Sequence, residues 1–328
     1  MQSERVKLKL NNKKKNDELE KNIDLFNELI SEGDRKKAVE VGNKIEALLI
    51  EGLGKADDKV IKFRKTLAQL CVSIQEYEAA LEILSDTLEY AIALYGEKAR
   101  DTLNVYTNIG GCLIELRKYD EAKENLEIVY KEINNYKNDA LYYTVLSSLA
   151  QAYEFSKKHE KANKIILEQL ARLKEIGCPK TNEHLLNTRL SYARNLFKLN
   201  KNVEESNKIF NEVIEIASKE YGEDYQICKN AYKMLADQYR DLSDYEKYVE
   251  YNLKIISTCN LTNDELQELI FQNISSYMIL NNFVQVEVCV QQLIMLGEKY
   301  GYCYAKEMLL EMRDLINGRL NYDEELQK

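Results

Sequence analysis

The chain has 328 residues, 46 of them Lys or Arg and 55 Asp or Glu, for a formal net charge of −9. With 45% hydrophobic residues, one Pro and twelve Gly, it has enough apolar surface to fold and little material for flexible linkers. The acidic balance argues against a nucleic-acid backbone as partner, and no run of 18 apolar residues is present to make a membrane-spanning helix.

Residues 1–17 are basic and polar, without the apolar core or cleavage site of a secretory signal, and read as a disordered tail. From residue 18 onward, apolar residues recur at three- and four-residue steps, the spacing of one helix face. They group into two-helix units at about 18–56, 57–97, 98–137, 138–180, 181–222, 223–262 and 263–299. A capping helix is expected at 302–317, because a stack of repeats otherwise leaves its last apolar face in water. Residues 318–328 read as a polar tail. The pattern predicts one uninterrupted domain over 18–317.

The third unit is the clearest copy. Val105, Ile109, Cys112, Leu113 and Leu116 form the stripe of its first helix, and Tyr119, Ala122, Leu126, Val129 and Ile133 that of its second. Gly110 and Ala122 are the small residues expected where the two helices meet. Gly54, Gly96 and Gly222 follow second helices at separations of one and three 42-residue periods, with Asn138 at the intermediate mark and Gly177 and Gly301 later. These are helix-ending residues. The sixth and seventh units drift: Tyr248 and Val286 stand where Ala is expected, which should open the local packing unless smaller partners offset them.

This spacing, with Ile109-Gly110, Leu113, Tyr119 and Ala122, resembles the tetratricopeptide repeat. The long period, and Leu94-Tyr95-Gly96 followed by Thr102, is similar to the repeats of kinesin light chains. The His-Pro that follows the glycine in that group is absent here. The resemblance implies an all-α superhelix of about seven helix pairs plus the cap, with peptide partners lying on the concave side formed by first helices. Carried over position by position, it puts Asn104, Asn108, Thr144, Ser148, Gln151, Phe155, Asn187, Arg194, Phe197, Lys198 and Asn230 in that groove. Lys233, Asp237 and Arg240 fall on the same face of the sixth unit. Amide side chains both donate to and accept from an extended backbone, Arg194 offers a two-pronged contact to a carboxylate, and Phe155 and Phe197 are candidate apolar anchors.

Chemistry of other kinds is not expected. His159 sits at a packing position and His184 has no metal-ligand pattern around it. The Gly-Leu-Gly-Lys at Gly52 lacks the remaining residues of a phosphate loop. Seven cysteines, at 71, 112, 178, 228, 259, 289 and 303, form no C-x-x-C pair and fit free buried thiols in a reducing compartment, so a cytoplasmic location is expected. Tyr300, Tyr302 and Tyr304 cluster outside the repeats and either pack the cap or form a self-association surface at the C-terminal end. The expected function is that of a soluble adaptor without catalysis, cofactor or metal, binding a protein or peptide segment. The alternative is a sensor in which a peptide or small molecule alters the curvature of the stack.

Overall fold

The computed structural model describes residues 13–137, 139–200 and 202–326. Its helices, in chain order, are α1 (Lys13–Glu32), α2 (Arg35–Leu53), α3 (Asp58–Ser73), α4 (Tyr77–Tyr95), α5 (Arg100–Glu115), α6 (Tyr119–Glu132), α7 (Ala140–Phe155), α8 (His159–Glu175), α9 (Glu183–Asn200), α10 (Val203–Tyr221), α11 (Gln226–Asp241), α12 (Tyr245–Thr258), α13 (Asn263–Ile279), α14 (Phe283–Tyr300) and α15 (Lys306–Leu326). No strand occurs among the described residues. The fold is all-α, built of consecutive helix pairs with α15 as the closing helix.

Three boundaries differ from the sequence pattern. α1 begins at Lys13, so the helical part starts inside the expected 1–17 tail, whose first twelve residues lie outside the described ones. α15 continues to Leu326, past the expected end at 317. The chain also divides within α8 into two compact units, one ending at Gln169 and one beginning at Leu170. In a row of repeats each pair touches only its neighbours, so such a division leaves no trace in the repeat pattern.

Within the first unit, α5 and α6 bury the predicted stripes: Val105, Ile109, Cys112 and Leu113 face Ala122, Leu126 and Val129. The close approach falls one turn beyond the expected Gly110–Ala122 pairing. A Cβ on Gly110 would stand 2.6 Å from Cγ of Leu126. In the second unit, Leu186, Leu190, Ala193, Phe210, Val213, Ala217, Ile227 and Leu235 make the equivalent core.

Six of the turns inside pairs share one form among the described residues. Gln75, Arg117, Lys157, Ser243 and Asn281 take φ between 55° and 64°, and Gly33 takes 82°. The next amide reaches back five residues, as in Lys118 N to Leu113 O at 2.8 Å and Asn282 N to Tyr277 O at 2.8 Å. This closes the first helix with its orphan carbonyls satisfied. Left-handed backbone strains a residue with a Cβ. Gln75→Gly is therefore expected to raise stability by about 0.5 kcal/mol, and Gly33→Ala to lower it by about 1 kcal/mol. Urea unfolding of the two variants checks both signs.

Second helices end differently. Gly54, Gly96, Gly222 and Gly301 have φ of 84–103° with ψ near 155°, a region essentially closed to residues with a Cβ. The third helix pair, which lacks this glycine, leaves α6 through a 3-10 turn at Ile133–Tyr136 instead; Asn138 itself lies outside the described residues. The spacing of Tyr95, Gly96 and Thr102 has a mechanical basis. The Thr102 hydroxyl donates to Gly96 O at 2.8 Å, and the Tyr95 hydroxyl donates to Asp58 Oδ1 at 2.6 Å, tying α4 to the preceding first helix. Tyr130 and Tyr142 both reach Glu168, and Tyr153 reaches Glu127, at 2.6–3.0 Å. Burial first, and then the Glu168 carboxylate, push the Tyr130 phenol up to about 12.

Five of the seven cysteines are buried, whereas Cys178 is half-buried and Cys303 exposed. Tyr302 and Tyr304 pack the end of the chain: Tyr304 stacks on Phe271 at 4.0 Å between centroids, and the Tyr302 ring lies against Gly297. Tyr300 is half-exposed.

Candidate functional site

First helices of successive pairs touch directly, α5 with α7 in the first unit and α9 with α11 in the second. Their outer faces are the predicted binding surface. On α5, Asn104 and Asn108 are half-buried, and Asn108 Nδ2 stands 3.4 Å from Asn104 Oδ1. On α7, Ser148 and Gln151 are half-buried and Thr144 is exposed, its hydroxyl donating to Ala140 O within its own helix. Phe155 ends that row, 43% exposed, with its ring 5.1 Å from that of Tyr119. The first unit thus presents a small-residue polar strip closed by an aromatic pair.

In the second unit the face is more charged. Asn187 is exposed and Arg194 half-buried, and Lys198 pairs with Asp241 across α9 and α11. Asn230 accepts a hydrogen bond from Gln226 at 2.8 Å. Phe197 does not belong to the face. It is 1% exposed and lies inside, because it continues the stripe Leu186, Leu190, Ala193 at helical spacing and shares its burial. The expectation of an apolar anchor there is corrected.

The second unit also holds a cavity of about 250 Å³ between α11, α12 and α13. Lys233, Asp237 and Arg240 line it from α11, Tyr248 and Asn252 from α12, and Glu265, Glu268 and Gln272 from α13. Its origin is the drift at Tyr248. A phenol occupies the position where the first four pairs have Ala38, Ala80, Ala122 and Ala162, and it lines the cavity together with Ala236. The hydroxyl donates to Gln272 Oε1 at 2.8 Å, and the Arg240 guanidinium lies 5.7 Å from the ring centroid. Beneath it Asn252 donates to Asn273 Oδ1 at 2.9 Å, a buried amide pair.

The charges around the cavity are matched within the fold. Lys229, nearly buried, donates to both oxygens of Glu265 at 2.7 and 2.8 Å, and Arg240 pairs with Asp237 at 2.5 Å. The Lys229 hydrogen bonds hold Glu265 below the usual carboxylate range, and the Tyr304 and Gln272 hydrogen bonds do the same for Glu268. A carboxylate whose folded pKa is depressed contributes stability above its ordinary range and loses it as the pH falls through the folded value. Melts from about pH 7 down to about pH 3 are expected to show stability falling only below that ordinary range, and Glu265→Gln is expected to flatten the fall.

Sequence reasoning placed Lys233, Asp237 and Arg240 on this face but missed Glu265, Glu268 and Gln272. The signal available was Tyr248 itself, whose size at a close-contact position implies a gap toward the next first helix. Among the described residues, no group of three or more His, Cys, Asp or Glu side chains is placed to hold a metal ion, and no helix is long and apolar enough to cross a membrane.

Residues 61–131, spanning α3 to α6, match the family described as the tetratricopeptide repeat. The fold is that of tetratricopeptide repeats. Solved structures extend the likeness along the chain. A tetratricopeptide repeat protein from Parabacteroides merdae is 16% identical with a TM-score of 0.58, covering 91% of this chain and 98% of that one. The apo form of the quorum sensor NprR from B. thuringiensis is 17% identical with a TM-score of 0.61, covering 85% of this chain and 81% of that one. Kinesin-light-chain-type repeats of Podosopora anserina are 17% identical with a TM-score of 0.54, covering 62% of this chain and 95% of that one. A comparison with curated protein sequences gave no match. Tetratricopeptide repeats of this length have room for their long helices: first helices here run 16 to 20 residues and second helices 14 to 19.

Proposed function

We propose that this chain is a cytoplasmic protein-interaction module, without catalysis, whose first-helix faces bind an extended polypeptide segment. The observation that carries the reading is the Tyr248 cavity. There a concave space, an aromatic side chain and convergent donors and acceptors from three helices meet beside the first-helix face of α11. The amides Asn104, Asn108 and Gln151 in the first unit, and Asn187 and Asn230 in the second, offer the same chemistry, with Arg194 and the Asp241-paired Lys198 on the second unit's face and Phe155 an apolar contact in the first. Hydrogen bonding to a peptide backbone through such amides gives affinity with little demand on side-chain identity.

A peptide taken by display selection against the full chain tests this. Its affinity is expected to fall at least about tenfold on Arg240→Ala in the second unit or Asn108→Ala in the first. Undiminished binding in both variants would refute the assignment.

The structural likeness to a quorum sensor favours a second reading, in which the bound peptide changes the arrangement of the repeats and so controls a partner. Small-angle scattering that shows the same dimensions with and without the selected peptide would exclude it. Self-association through the C-terminal end, where Tyr300 is half-exposed, is a separate proposal that sedimentation checks.

A further inference from the structure

One second helix departs from the others on its outer side. In α2, α4, α6, α8, α10 and α12 the second and sixth residues are charged and exposed, from Lys36 and Glu40 in α2 to Glu246 and Glu250 in α12. In α14 the same two positions hold Val284 and Val288, 58% and 42% exposed, and Met295 follows at 69%. The other exposed residues between Val284 and Met295 are Gln285, Gln291 and Gln292, so the face carries no charge over about three turns. Glu287, the one charged residue in that stretch, is half-buried and accepts from Gln291 Nε2 at 3.1 Å. Val is a poorer helix former than Glu or Lys, so a face left in water gains nothing from the exchange. Charge withdrawn and Met exposed is the composition of an interface core.

The spacing says what covers it. Val284, Val288, Gln291 and Met295 follow at steps of four, three and four residues, within about 60° around the helix axis. Such steps form the seam that two packed helices share, and they read the same in both directions. Two antiparallel copies related by a two-fold axis therefore set Val284 against Met295 and Val288 against Gln291, alike at both ends. Each glutamine carries donors and an acceptor, so identical side chains match across the axis. Charge points the same way. Two chains of net charge −9 repel unless the ground between them is neutral, whereas a basic partner finds its match on α4, at the exposed Glu78, Glu82 and Glu89.

We propose that two copies of this chain associate through the outer face of α14, as an antiparallel helix pair centred between Val288 and Gln291. The inference rests on the self-association proposed above and places the contact on α14 instead of at Tyr300, which lies about 140° further round the helix from Met295. One helix from each copy buries an area at the low end of specific interfaces, so the dimer is reversible, with a dissociation constant of about 1–100 μM.

Sedimentation equilibrium of the full chain from about 1 to 300 μM tests this. A monomer–dimer equilibrium is expected. Val288→Glu together with Met295→Glu is expected to raise the dissociation constant at least about tenfold, and Tyr300→Ser to leave it within about twofold. Both replaced residues are exposed, and Glu is no worse a helix former than either, so the double variant is expected to melt at the native temperature when dilute. The two-fold register has its own test: a mixture of Val284→Lys and Met295→Glu chains is expected to associate more tightly than either chain alone. A dimer that survives the paired glutamates and is lost in Tyr300→Ser would overturn the assignment to α14 while leaving self-association standing. A monomer at every concentration would refute both.

Discussion

Replacing Arg64 with Met is expected to destabilise the first unit by about 3 kcal/mol, measured by urea unfolding. Arg64 reaches from α3 to both flanking second helices: Nε donates to Glu46 of α2 and Nη2 to Asp86 of α4, each at 2.5 Å. The side chain is 7% exposed and that of Glu46 15%. Met fills much of the same volume, so the loss is electrostatic. Glu46 is left half-dry without a counter-charge, and Asp86 keeps only Lys55 at 3.4 Å. The guanidinium already carries one buried nitrogen, Nη1, without a partner, so the native arrangement is not optimal for stability. Removing the acids together with the base, as Arg64→Met, Glu46→Leu and Asp86→Asn, is expected to recover most of the loss. If Arg64→Met alone changes stability by less than about 0.5 kcal/mol, the ion network does not bind the pairs together.

The second large effect concerns two adjacent glycines with opposite roles. A Cβ at Gly110 would meet three carbons of Leu126 at 2.6–3.1 Å, whereas one at Gly111 would meet nothing within 4 Å. Leu126 is fully buried and has no room to turn aside. Gly110→Val is expected to cost about 3 kcal/mol, since both the Cβ and its two methyls must displace packed atoms. Gly111→Ala is expected to gain about 0.5–1 kcal/mol, because a helical glycine loses more backbone freedom on folding than alanine does. Leu126→Ala in the Gly110→Val background is expected to return part of the loss through the space it vacates. Thermal unfolding of the four chains decides the matter; equal effects at the two glycines would show that α5 and α6 do not touch at Gly110.

These residues also show how far the fold was legible. The three-and-four spacing of Val105, Ile109 and Leu113 and the phased glycines fix helices and turns because both depend on local geometry. Positive φ at Gly54, Gly96 and Gly222 is a local demand that the sequence answers with the one residue that accepts it. What failed was read through correspondence with other repeats. Phe197 was carried to the groove by position, yet its own helix puts it in register with Leu186, Leu190 and Ala193, and the stripe prevailed. Several tyrosines also do a second task that periodicity cannot show. Their rings pack while their hydroxyls cross to carboxylates in neighbouring helices, as Tyr95 does to Asp58 and Tyr304 to Glu268. The Tyr248 cavity depends on how three helices fail to close, a three-dimensional consequence of one oversized side chain. The division within α8 has no local signature at all.

The central claim is that a polypeptide segment lies against the first helices, and the side-chain carboxamide signals of an ¹⁵N-labelled chain, followed as a display-selected peptide is added, test it most directly. The account predicts shifts for Asn104, Asn108 and Gln151, or for Asn187, Asn230 and Gln272, with the second-helix amides Asn125 and Asn211 unmoved. Shifts confined to Asn125 and Asn211 would contradict it.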